Sequence, residues 1–217
     1  MNQTTSTRVY LTPESERFMV PSIGVPKNIQ EPFMKIKSVI IALLFISTSC
    51  IQAAMPEGIE KIQSTWAIAK YQTSSDHQAA AFEALLASAK KLTADYPDKA
   101  EPKVWLAICL STDAGINGGF GALGKVKEAK TLLDAAEKID PQVLNGSVYT
   151  SLGSLYYQVP GWPIAFGNEE MAEKYLKKAL AINPDGIDPN YFYGDFLLSE
   201  EHPQEALEYL NKAKAAP

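Results

Sequence analysis

Leu152-Gly153-Ser154-Leu155-Tyr156, followed by Ala172-Glu173-Lys174-Tyr175-Leu176-Lys177-Lys178-Ala179-Leu180-Ala181-Ile182-Asn183-Pro184, decides how the chain folds. Both stretches repeat their apolar and small residues every three or four positions, so each reads as a helix with one buried stripe. Pro184 cannot continue the second helix and closes it. The second-helix spacing then recurs: Ala129, Ala136 and Pro141 are separated by seven and five, as are Ala172, Ala179 and Pro184. Leu106-Ala107-x-x-Leu110 precedes the first set and Leu152-Gly153-x-x-Tyr156 the second. A third copy runs through Tyr193-Gly194, Leu197, Ala206, Leu207, Leu210 and Ala213. Small residues let two helices approach closely and large ones fill the holes of the next pair, so the beat is that of stacked helical hairpins.

This pattern resembles the tetratricopeptide repeat. The resemblance implies an all-α fold, a right-handed superhelix of about four antiparallel hairpins across residues 55–217. An N-terminal hairpin, Glu57 to Tyr96, fits more loosely, with stripes Ile59, Ile62, Trp66, Ala69 and Phe82, Leu85, Leu86, Ala89, Leu92. The small-residue-to-Ala distance is twelve from Gly194 to Ala206, nineteen from Gly153 to Ala172 and twenty-two from Ala107 to Ala129. Two successive units therefore carry inserts at their inner turns.

The first insert contains Gly119-x-Gly121-x-x-Gly124 and a following Lys125, which matches a dinucleotide fingerprint and most of a phosphate-loop pattern. Both motifs need a preceding strand, and the phosphate loop needs Ser or Thr where Val126 stands. The reading is instead a glycine-rich turn around Phe120 leading into a helix from about Leu123. The second insert, Gln158 to Asn168, places Trp162 and Phe166 among Pro160 and Pro163. These aromatics are expected either to cap the stack or to form a binding site with the neighbouring insert.

Residues 34–54 read as a signal peptide: Lys35 and Lys37, an apolar run from Val39 to Phe45, and small residues up to cleavage after Ala53 or Ala54. The apolar run falls short of the ~20 residues of a membrane-spanning helix, so no span is expected after cleavage. Cys50 opens a lipid-anchored alternative, although Ser47 stands where a lipobox wants an aliphatic residue. Residues 1–33 lie upstream of this leader and read as untranslated, with translation expected to start at Met34, or else as a disordered extension. The expected location is periplasmic or secreted.

The mature portion holds 15 Lys, no Arg and 22 acidic residues, a formal charge of −7. That excludes a general nucleic-acid binder, which needs a basic face. Cys109 is its only thiol, within the apolar run Val104 to Leu110, and reads as a core residue. His77 and His202 lack metal-ligand neighbours, no nucleophile–base set emerges, and no cofactor is expected; the chain reads as a non-enzyme.

The resemblance implies that the first helix of each unit lines a concave groove. Its register assigns Val104, Ile108 and Ser111, then Thr150, Ser154 and Tyr157, then Tyr191, Asp195 and Leu198 to a surface for a protein or peptide. The groove lacks the basic cluster with which some relatives hold a C-terminal carboxylate. The function implied is an exported bacterial scaffold of the cell envelope. The alternative is a small apolar-ligand carrier, since the leader, irregular repeats and Pro-Gly-Trp-Pro loop are faintly similar to the T component of tripartite ATP-independent transporters.

Overall fold

The computed structural model describes residues 47–119 and 121–216, with side chains from Met55 onward. The expected start codon, charged n-region and apolar run fall on residues 1–46, outside the described residues. So does Phe120.

Eight helices follow one another among the described residues: α1 (Ser47–Tyr71), α2 (Ser75–Asp95), α3 (Glu101–Asn117), α4 (Ala122–Ile139), α5 (Val143–Gln158), α6 (Glu169–Ile182), α7 (Ile187–Ser199) and α8 (Pro203–Ala215). No strand is present among them. Each odd-numbered helix packs on the even-numbered one after it, making four hairpins. Contacts also join α1 to α3, α3 to α5 and α5 to α7, so the first helices of successive hairpins stand side by side. That neighbour-to-neighbour pattern is an all-α solenoid.

The small-residue beat is what closes each hairpin. Ala129, Ala172 and Ala206 are wholly buried, as are Ala107 and Ala136. A Cβ on Gly153 would come within 2.6 Å of Leu176 Cγ, and one on Gly194 within 2.8 Å of Leu210 Cγ. Only glycine lets those helix pairs approach this closely. In the first hairpin Phe82 and Ala89 repeat the seven-residue spacing of the later Ala pairs, with Phe82 fully buried where the others have Ala. A ring there needs a wider gap between the helices, and this explains the looser fit of that unit to the repeat pattern.

The chain reverses into α5 through Leu144 (φ 49°), Asn145 (φ 54°) and Gly146 (φ 84°), three consecutive left-handed residues. A non-glycine residue there costs ~1–2 kcal/mol, most for Leu144, whose side chain is held against the core.

The two inserts are built differently. The first is absorbed mainly by helix: α3 runs on to Asn117, α4 begins at Ala122, and four residues remain between them. A helix rather than a strand precedes the glycines, so the nucleotide-motif geometry is absent there. The second is a true loop. A single bridge pairs Gly161 with Gly167, Gly167 N donates to Pro160 O at 2.9 Å, and Asn168 N donates to Tyr156 O at 2.8 Å. The Trp162–Pro163 bond is cis. Asn168 then caps α6, its Oδ1 accepting from Met171 N at 2.8 Å.

Candidate functional site

Counting from the small residue of each first helix aligns the groove positions across units. Val104, Thr150 and Tyr191 stand three residues before Ala107, Gly153 and Gly194; Ile108, Ser154 and Asp195 stand one after; Ser111, Tyr157 and Leu198 stand four after. Val104 is wholly buried and Thr150 nearly so. Val104 is closed to a partner, and Thr150 contributes only to the wall of a cleft between the starts of α5 and α7. The reason is the side-by-side stacking: the position three before the small residue faces the first helix of the following unit, not the groove. Tyr191 and Leu198 are exposed because no described helix follows α7 in that row.

Ile108, Ser154, Tyr157 and Asp195 remain half-buried at the surface. Tyr157 and Asp195 meet directly: the phenol donates to Asp195 Oδ2 at 2.6 Å and accepts from Gln158 Nε2 at 3.0 Å. The Tyr157 ring stands edge-on to Phe196 with centroids 5.6 Å apart. Burial, and then the bond to Asp195, push the Tyr157 phenol well above the usual range. It is therefore a neutral donor at any physiological pH, and Asp195 keeps oxygen lone pairs for another donor.

The two aromatics of the second insert part company. Phe166 turns inward, edge-on to Tyr156 at 5.6 Å, and packs on the core. Trp162 is 90% exposed, while Phe166 packs between the second and third hairpins rather than over either end of the stack. Gly161 and Gly167 fasten the base of the loop; Trp162 stands out from it, and Phe166, next to Gly167, turns back onto Tyr156. Ile164 shares this tip at 60% exposure.

Sequence reasoning missed a ladder of aromatics and lysines behind the groove. Tyr149 and Tyr156 stack on opposite sides of Tyr175, at 6.0 and 5.6 Å. Lys178 Nζ lies 4.7 Å from the Tyr149 centroid and Lys130 Nζ 5.6 Å from that of Tyr156. Glu137 and Asp134 pair with these two lysines. The seven-residue step from Tyr149 to Tyr156 was the available signal. Asp113 was missed as well: nearly fully buried on α3, it is paired with Lys125 of α4 and accepts from Asn117.

Cys109 is buried, and burial followed by the nearby Asp113 charge pushes its thiol up to about 12. A thiol so far from ionising is no nucleophile. A cleft of about 310 Å³ opens at the starts of α5 and α7, lined in part by Asn145, Ser147, Asn183 and Asp188. It lies at the edge opposite the Trp162 loop. No described helix is long and apolar enough to cross a membrane, and no described group of three His, Cys, Asp or Glu is placed to hold a metal.

The tetratricopeptide repeat family model matches residues 164–185, the loop tip and α6. No curated protein matches the chain. Among solved structures, a thermophilic TPR protein of Thermus thermophilus is similar in fold, with a TM-score of 0.53 and 18% identity, over 77% of this chain and 86% of that one. That likeness concerns the fold, and together with the repeat match it makes the architecture that of a tetratricopeptide-type helical solenoid.

Proposed function

We propose that this chain is an exported, non-catalytic scaffold that holds an extended stretch of a protein partner along α3, α5 and α7. The observation that carries the reading is Trp162, 90% exposed on a loop fastened at its base, five residues along the chain from Tyr157 of the Tyr157–Asp195 pair. An exposed tryptophan on a fixed backbone gives up little conformational freedom on binding and brings a large apolar area, as the anchors of protein interfaces do. Ile108 and Ser154 continue the surface, and Asp195 with a net acidic module favours a neutral or basic segment. The apolar-carrier alternative finds less support, because Phe166 is spent on Tyr156 and Trp162 stands in solvent.

Export is supported by Pro56. In the 217-residue chain it falls inside α1, where its missing N–H interrupts the helix ladder. Cleavage after Ala53 or Ala54 leaves it in the first turn, where no partner is needed.

The test is crosslinking in the envelope fraction from a photoreactive residue at position 162. A stoichiometric protein adduct that Asp195→Asn weakens at least tenfold supports the scaffold; recovery of small molecules alone transfers the reading to the carrier. Mass spectrometry of the N-terminus is expected to find Ala54 or Met55. An intact leader ends the export reading, and acylated Cys50 replaces release by anchoring.

A further inference from the structure

The cleft between the starts of α5 and α7 is walled by polar groups that the fold itself does not use. Thr150 is only 4% exposed, yet its hydroxyl makes no hydrogen bond among the described residues, and the side chain forms part of the cleft wall. A hydroxyl so enclosed has given up water without a replacement, which a guest in the cleft would supply. Asp188, exposed on the same wall, has neither an ion-pair nor a hydrogen-bond partner among the described residues. Loss of surrounding water pushes its carboxyl above the ordinary carboxylate range, and no neighbouring charge offsets that.

The remaining polar lining also accepts hydrogen bonds. Ser147 donates its own proton to Leu144 O at 2.8 Å, which leaves its oxygen lone pairs free. The side-chain amides of Asn145 and Asn183 are unpaired as well. No lysine, arginine or histidine lines the cleft. One unpaired carboxylate among acceptors selects a cation. An anion would be drawn by the N-terminal end of α7, but Asp188 already occupies that first turn and would repel it. A cleft of about 310 Å³ with a single carboxylate is too roomy and too weakly charged to strip a divalent metal ion of its water.

We propose that this cleft is a binding site for a primary alkylammonium group, with Asp188 supplying the countercharge, Thr150 a second acceptor, and Leu144 an apolar surface for the alkyl stem. An ammonium group has three donors to distribute over the carboxylate, the hydroxyl and an asparagine carbonyl, and its stem can lie on apolar surface. The group is carried either by a lysine side chain of a protein or by a free amine. This goes beyond the scaffold reading and draws on neither Trp162 nor Asp195, so loss of the crosslink at position 162 leaves it standing.

Nuclear magnetic resonance titration of the isotopically labelled protein, isolated in the form the cell leaves, tests this with three probes. They are Nα-acetyl-lysine methylamide, cadaverine, and Nα-acetyl-norleucine methylamide, which keeps the stem and lacks the ammonium. Both ammonium probes are expected to shift amides of residues 144–150 and 183–190 saturably, and the norleucine derivative is not. Asp188→Asn should weaken both about tenfold or more, and Thr150→Val, which keeps the shape and drops the hydroxyl, about threefold. Unchanged resonances elsewhere verify the fold of each variant, and Thr150→Val carries the test alone should Asp188→Asn unfold. Tighter binding of the lysine derivative assigns the group to a protein side chain, tighter binding of cadaverine to a free amine; either bears the proposal out. It is overturned by silence of these amides toward both amines, by equal shifts from the norleucine derivative, by calcium chloride displacing the amines from the same residues, or by a folded Asp188→Asn variant that binds as well as the wild type.

Discussion

The second and third hairpins carry insertions of similar length and handle them in opposite ways. Between α3 and α4 the added residues Ala114-Gly115-Ile116-Asn117 tolerate helical dihedrals, so helix absorbs them and the turn shrinks to Gly118–Gly121. Between α5 and α6, Pro160 and Pro163 forbid the same solution, and the backbone folds back on itself between Gly161 and Gly167. Composition, not insert length, thus decides whether extra chain becomes scaffold or display. The second hairpin has become longer and pinned by Asp113–Lys125. The third has gained an exposed apolar tip.

The glycines offer the sharpest way to break this contrast. A Cβ at Gly167 would meet Val159 O at 1.9 Å, so Gly167→Ala must open the loop base, at an expected cost of about 3 kcal/mol. Gly121 has ordinary helical dihedrals and nothing within 4 Å of a built Cβ. Gly121→Ala is therefore expected to be neutral or stabilising by up to ~1 kcal/mol, because it restricts only the unfolded chain. Urea unfolding of both variants decides it: equal losses would mean the two turns are not different in kind.

Next come the loop aromatics. Phe166→Ala is expected to cost about 2–3 kcal/mol through lost burial against Tyr156, while Trp162→Ala stays within ~0.5 kcal/mol. A comparable loss at Trp162 would show that it packs on the fold after all. Asp113→Ala is expected to cost about 1–3 kcal/mol, less than a fully enclosed pair, because Lys125 reaches water. Asn168→Ala removes the α6 cap and is expected to lower the urea midpoint by the equivalent of ~1 kcal/mol.

Alkaline titration makes the smallest but broadest comparison. Burial raises the phenols of Tyr149, Tyr157, Tyr175 and Tyr193 and the thiol of Cys109 in the folded chain. These groups favour the fold while protonated, and their contribution fades as pH climbs past their unfolded values, near ~8.5 for the thiol and about 10 for the phenols. Stability is expected to decline first from the second hairpin, through Cys109, and more steeply above about pH 10 from the third and fourth. A midpoint flat from about pH 8 to 11 would contradict this.

What could be read in the amino-acid order was the part governed by volume. Ala129, Ala172 and Ala206 announce close contacts because nothing larger fits, and all three are wholly buried. The helix from about Leu123 likewise begins at Ala122. Groove lining was less legible: Val104 and Thr150 share a helix face with Tyr191, and only the position of the next unit makes two of them core and one surface. Nor did the pattern reveal the left-handed run at Leu144–Gly146. Asn-Gly signals a turn, but a leucine held left-handed before it is imposed by packing. Which loop aromatic points inward was set by tertiary packing, since Phe166 meets Tyr156 while Trp162 stays 90% exposed.

The lysine–tyrosine ladder gives the molecule a clasped waist. Lys130 from α4 reaches Tyr156 and Phe166 while Lys178 from α6 reaches Glu137, so second and third hairpins grip each other from both directions. Damage arriving at either extremity, from heat, a protease or a mechanical tug, has to unravel outer hairpins before it meets this knot. The Trp162 tip springs from the knot's own loop, so under the proposed scaffold role its anchoring is expected to outlast that of the outer hairpins.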